Sequence, residues 1–144
     1  MTKLLPVLAL VTAVFAGEAL AASVSESGKV IGASKSSVTA KVRISGGKPV
    51  KIGAFVFKAV PANCDGGKLP AYLKYSKFAT VAADRSFDIK LVITAGPGGS
   101  LEIKGHVAAD GQSASGTVSS DTSSPPPAGE CKVNAKHWKV RAGY

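Results

Sequence analysis

The stretch FDIKLVITAGPGGSLEIKGHV, residues 87–107, decides the fold class. Phe87, Ile89, Leu91 and Ile93 alternate with Asp88, Lys90 and Val92, and Leu101, Ile103 and Val107 alternate with Glu102, Lys104 and His106. A period of two with one apolar side is the pattern of a half-buried strand. The link AGPGGS, residues 95–100, is turn chemistry, so the stretch predicts a β-hairpin with one buried and one wet face. Asp110-Gly111 supplies a second reversal into SASGTVSS, residues 113–120, which makes three consecutive antiparallel strands.

The same period appears on both sides of this meander. Val38, Ala40, Val42 and Ile44 alternate with Thr39, Lys41 and Arg43 up to a Gly46-Gly47 turn. Trp138, Val140 and Ala142 alternate with His137, Lys139 and Arg141, which predicts a last strand. Residues 50–60 break the alternation, because Phe55, Val56 and Phe57 are consecutive; either both faces are covered or Gly53 marks a bulge. Residues 72–81 read as a further strand next to Pro70. No segment after residue 22 shows helical apolar spacing over three turns. The expected class is therefore all-β, a small antiparallel β-sandwich or barrel of about 6–8 strands.

The N-terminus reads as an export signal. Lys3 precedes a nearly unbroken apolar run over residues 4–17, and Ala19-Leu20-Ala21 has the small-x-small pattern of a cleavage site after Ala21 or Ala22. The run is shorter than the roughly 20 residues of a membrane-spanning helix, and no second span follows. The domain reading is a signal peptide at 1–21, a polar leader at 22–29 and a single β domain at 30–144, secreted, cell-surface or periplasmic. About 120 residues suit one domain with its own core.

Cys64 and Cys131 are the two cysteines. An exported chain with two cysteines has one intramolecular pairing, and closing that loop stabilises a fold by about 4 kcal/mol on the chain-entropy argument. A staple is preferred to free thiols, intermolecular pairing or a catalytic thiol, since neither cysteine sits in a metal-binding or redox spacing.

The chain offers little catalytic chemistry. Its two histidines, His106 and His137, fall on outward positions among lysines. GQSASG, residues 111–116, has Ser115 where a nucleophile elbow needs glycine. Asp88 and Glu102 are neighbours on a wet face rather than across a cleft. AGPGGS lacks the Lys-Ser/Thr of a phosphate loop. No catalytic, cofactor-binding or metal-ligating residue is assigned, and a small secreted hydrolase is the least favoured reading.

Charge is the sharpest remaining signal. The net charge is +9, carried by 15 Lys and 3 Arg. Lysine is a hydrated point charge, whereas nucleic-acid readers recruit arginine forks and stacked aromatics, so no nucleic-acid partner is expected. Lys41, Arg43, Lys90, Lys104, Lys139 and Arg141 all fall on outward registers and form a candidate surface for a cell-wall or other extracellular polyanion, provided their strands share a sheet. The alternative partner is another secreted protein, met by the proline-rich loop at 121–130 within SSDTSSPPPAGE, residues 119–130, whose three prolines favour an extended polyproline conformation.

Taken together, Gly46-Gly47-Lys48, Ala62-Asn63-Cys64, Ser86-Phe87, Ile103-x-Gly105-x-Val107, Ala114-Ser115-Gly116-Thr117-Val118 and Cys131-x6-Trp138 resemble small exported bacterial β domains without an assigned activity. The resemblance covers most of residues 28–142, with SSPPPAG before Cys131 as a departure. It implies a disulfide-closed β-sandwich and no catalytic residues.

Overall fold

A computed structural model describes residues 22–94, 98–123 and 125–143. The export signal expected at 1–21 lies outside the described residues. Eight strands follow one another: β1 (Ala22–Val30), β2 (Ser37–Ser45), β3 (Lys48–Cys64), β4 (Gly67–Thr80), β5 (Ser86–Ile93), β6 (Gly99–Val107), β7 (Ser113–Ser123) and β8 (Glu130–Ala142). They form one antiparallel sheet in the order β4-β3-β2-β1-β8-β7-β6-β5. Every chain neighbour pairs with the next except β4 and β5, and the first strand pairs with the last. The sheet is thus an up-and-down meander curled until its inner faces meet, with its open side at β4 and β5.

The hairpin at 87–107 forms as the alternation requires, with Phe87 opposite Gly105, Ile89 opposite Ile103 and Leu91 opposite Leu101. Gly46 and Gly47 both hold positive φ (59° and 74°) in the β2–β3 turn, a backbone that side chains resist.

Strand β3 resolves the broken alternation at 50–60. Its buried hydrophobic side chains include Ile52, Phe55, Phe57, Val60 and Ala62, and the register against β4 slips between Gly53 and Phe55 and again between Phe57 and Val60. Ala54 and Ala59 take positive φ at the two slips. Against β2 one residue is added to β3 between Gly53 and Val56, and against β4 one is added between Phe57 and Val60, so a chain that looks out of phase keeps its apolar side chains inward.

Two stretches differ from the sequence reading. Residues 22–29, expected as a polar leader, are most of β1, which pairs with β2 on one side and β8 on the other. Its serines face out, while Val24, Glu26, Gly28 and Val30 hold the inner register. The loop expected at 119–130 starts later, because Ser120, Asp121, Thr122 and Ser123 pair with Val133, Lys132, Cys131 and Glu130. Those polar residues carry no strand signal of their own; their backbone is fixed by β8. The prolines then sit in a turn at 126–128 rather than in an extended run.

Four aromatic rings tie the two halves of the sheet together. Trp138 of β8 meets Phe55 of β3 edge-on at 5.4 Å between centroids, and Phe57 and Phe87 lie 6.2 and 6.1 Å from it. Along the inner row of Trp138, Gly116, Gly105 and Phe87, two positions lack side chains. A β-carbon on Gly105 would strike the carbonyl of Ser115, and one on Gly116 the carbonyl of Lys104, so the β6–β7 pair closes in on itself only because both are glycine.

The tip of β3 passes the end of the β1–β2 hairpin and pairs directly with β8 through Asn63–Lys132 and Cys64–Cys131. The disulfide Cys64–Cys131 crosses that pair.

Candidate polyanion-binding face

Charge is divided unevenly over the curled sheet. Between Lys29 and Lys77 the chain carries ten Lys and Arg against one acid, Asp65, in a turn. After Thr80, seven Lys and Arg stand with six acids. Among the described residues the ion pairs are Lys90–Asp88 (3.8 Å), Lys90–Glu102 (3.7 Å), Lys104–Glu102 (3.4 Å) and Lys132–Glu130 (3.2 Å), and all lie on β5, β6 and β8.

The outer face of β1, β2 and β8 gathers four of the six basic residues expected from sequence. On β1, Ser23 stands opposite Arg43 and Ser25 opposite Lys41. Ser27 stands opposite Arg141, and Lys29 opposite Lys139. A strand of small serines therefore runs between two basic strands. Lys90 and Lys104 lie on β5 and β6, away from this face, and there each is held by acids. Sequence reasoning missed Lys29, Lys51, Lys58 and Lys74, which complete the basic face. Lys29 was lost with the supposed leader, and the β3 lysines were lost because its bulges hide the outward register.

Two like-charged pairs stand directly across strands, Arg43 opposite Lys51 and Lys29 opposite Lys139. Such pairs destabilise a sheet by a few tenths to about 1 kcal/mol. Arg43 is also fixed in place, its guanidinium 3.8 Å from the centre of the Phe78 ring. The Lys29 ammonium donates to the Ser34 carbonyl (3.0 Å).

Behind the basic face, Glu26 points inward from β1, only 2% exposed, with neither carboxylate oxygen hydrogen-bonded. Burial, and secondly the charge of Asp110, push its carboxyl up to about 7. Its sequence signal was positional: Glu26 shares the inner register of Val24 and Val30.

Both histidines border a groove of about 850 Å³ across the outside of β5–β8. His137 and Lys139 of β8 flank it, as do Thr117 and Ser115 of β7, Lys104 and His106 of β6, and Asp88 and Ser86 of β5. The floor follows the glycine row, where the sheet sinks toward Trp138. A histidine and an acid line the same groove, which is part of what a hydrolase reading asks for. Yet Asp88 faces Lys90, and no hydrogen bond among the described residues joins either imidazole to a hydroxyl.

The proline loop is fastened beside the disulfide. The Glu130 amide donates to the Asp65 carboxylate (2.9 Å), the Asp65 amide to the Glu130 carbonyl (3.0 Å) and the Gly66 amide to the Ala128 carbonyl (3.4 Å). Pro125, Pro126 and Pro127 are exposed.

No protein-family model matches the chain, and neither a curated protein nor a solved structure matches it.

Proposed function

We propose that the protein is an exported, non-catalytic β module that binds an extracellular anionic polymer on the outer face of β1–β4 and β8. The observation that carries this reading is the pair of like-charged neighbours, Arg43 with Lys51 and Lys29 with Lys139, on a face where β1–β4 bear no outward acid and β8 bears Glu130 at its start, paired with Lys132. Solubility alone is served by mixed charge, as on β5 and β6; a single-sign face that costs stability is a feature suited to an opposite charge laid across it. Lysine without stacked aromatics suits attraction to a polymer's field rather than recognition of nucleotide bases.

The test is co-sedimentation of the purified, disulfide-bonded protein with isolated cell-wall material and with anionic vesicles across a salt series. Retention that falls steeply with salt is expected. No retention at low salt would sink the proposal. The fastening of the proline loop to Asp65 and Gly66 favours a second reading, a protein-interaction module that presents Pro125–Pro127 on a rigid base. Replacing residues 124–128 by Gly and Ser leaves polymer binding unchanged under the first reading and abolishes partner capture under the second.

A further inference from the structure

We infer that the groove across β5–β8 is a subsite for an acidic glycan, a chain whose carboxylates or sulfates are interspersed with hydroxyls. This rests on the polyanion reading and specifies the polymer. The groove crosses the strands, so each strand contributes one pair of side chains, two residues apart, to its opposite walls. In strand order the pairs are cationic or imidazole (His137, Lys139), hydroxyl (Thr117, Ser115), cationic or imidazole again (Lys104, His106), then acceptor and hydroxyl (Asp88, Ser86).

From Ile31 at one end to Asp88 at the other, the groove takes four inter-strand steps, about 19 Å, which holds several units of an extended chain and is far longer than one oxyanion. Charged rows separated by a hydroxyl row match a polymer in which charge and hydroxyl groups recur along the backbone. Asp88 selects among polyanions: its carboxylate accepts from a sugar hydroxyl and repels a bare chain of phosphates. The β8 end opens onto the basic face, because Lys139 stands opposite Lys29. One chain can therefore lie on the lysines and continue into the groove.

The experiment is NMR titration of the disulfide-bonded protein at low salt with a hexamer of galacturonic acid and, separately, with linear polyphosphate of matched charge. The galacturonate hexamer is expected to shift the ring signals of His106 and His137 and the amides of Ser115 and Thr117. Joint His106→Ala and His137→Ala substitution is expected to weaken that hexamer about tenfold, the cost of two lost hydrogen bonds in an open, hydrated groove, and to leave polyphosphate binding unchanged. Joint Lys41→Ser and Lys51→Ser substitution weakens both probes. Shifts confined to the β1–β3 face, or an unchanged affinity in the histidine variant, overturn the subsite and leave the polyanion reading standing. Polyphosphate entering the groove as well as the hexamer does overturns the glycan assignment. Binding of neither probe overturns both proposals. Shift mapping on the unsubstituted protein decides the matter even if the histidine variant fails to fold.

Discussion

Strands β1–β4 and strands β5–β8 bury comparable apolar rows, yet their outer faces treat charge differently. On β5 and β6 a lysine has an acid beside it, as Lys90 has Asp88 and Glu102 and Lys104 has Glu102. On β2 and β3 a base stands opposite a base, Arg43 against Lys51. Both faces obey the same rule of apolar in and charged out, so the rule does not explain the difference. Exposed ion pairs contribute little to stability, and exposed like-charged pairs cost little, so either pattern is compatible with the fold. The contrast therefore points to what each face meets outside the molecule.

The two halves are joined by their aromatic centre and by the disulfide, and separating them gives the largest expected effects. Trp138→Ala removes the ring that touches Phe55, Phe57 and Phe87 together. It should cost about 3–5 kcal/mol, read as a lower urea midpoint. A cost under 1 kcal/mol would mean that the halves are stable separately. Joint Cys64→Ala and Cys131→Ala substitution unfastens β3 from β8 and should cost about 4 kcal/mol, measured by thermal or urea unfolding without reductant.

Glu26 sharpens the comparison from inside. Its carboxyl is pushed up to about 7 in the folded protein, against an ordinary value of 4.5 in the unfolded chain. The folded state thus holds the proton more tightly, and protonation favours folding. Stability is greatest below about pH 4.5 and falls as pH rises to about 7, by roughly 3 kcal/mol, then levels off as far as this group is concerned. Glu26→Gln should remove that decline and raise stability at pH 8. Urea midpoints for both proteins at pH 4.5 and pH 8 test this, and an unchanged difference between the two pH values would show that Glu26 is not the cause.

The smallest stability effect separates the two outer faces directly. Lys51→Glu replaces the like-charged pair with Arg43 by an opposite-charged one and should stabilise the sheet by about 0.5 kcal/mol. It should also weaken polymer retention and lower its salt dependence. Lys90→Gln on the balanced face should leave retention unchanged. Equal losses from the two variants would place the polymer on neither face in particular.

Much of the fold was legible because period-two alternation needs only local sequence. Residues 38–44, 87–91, 101–107 and 138–142 read as strands with the correct inward side chains, whereas Ile93, expected inward at the end of β5, is 40% exposed. The all-β class followed from the same alternation and the absence of helical spacing, and the pairing of Cys64 with Cys131 from the cysteine count of a chain read as exported. Strand β1 was not legible as a strand: its outward positions are serines and its inward ones include Glu26 and Gly28, so apolar contrast was missing. The end of β7 was hidden for a similar reason, since Ser120–Ser123 owe their conformation to β8. In β3 the bulges at Ala54 and Ala59 shifted the phase, which concealed both the buried set and the outward Lys51 and Lys58.

For the site, the outward direction of Lys41, Arg43, Lys139 and Arg141 was written in the alternation, because a side chain's face is set by its own strand. Which of those lysines and arginines lie together was decided only by the tertiary structure. Neighbourhood across a sheet depends on strand order, and here the first strand closes on the last, bringing Lys29 to Lys139 from opposite ends of the chain. The separation of Lys90 and Lys104 from that face, and the groove over Gly105 and Gly116, follow from the same closure. Alternation is a local property of the backbone, whereas a charged face is a property of the pairing between strands.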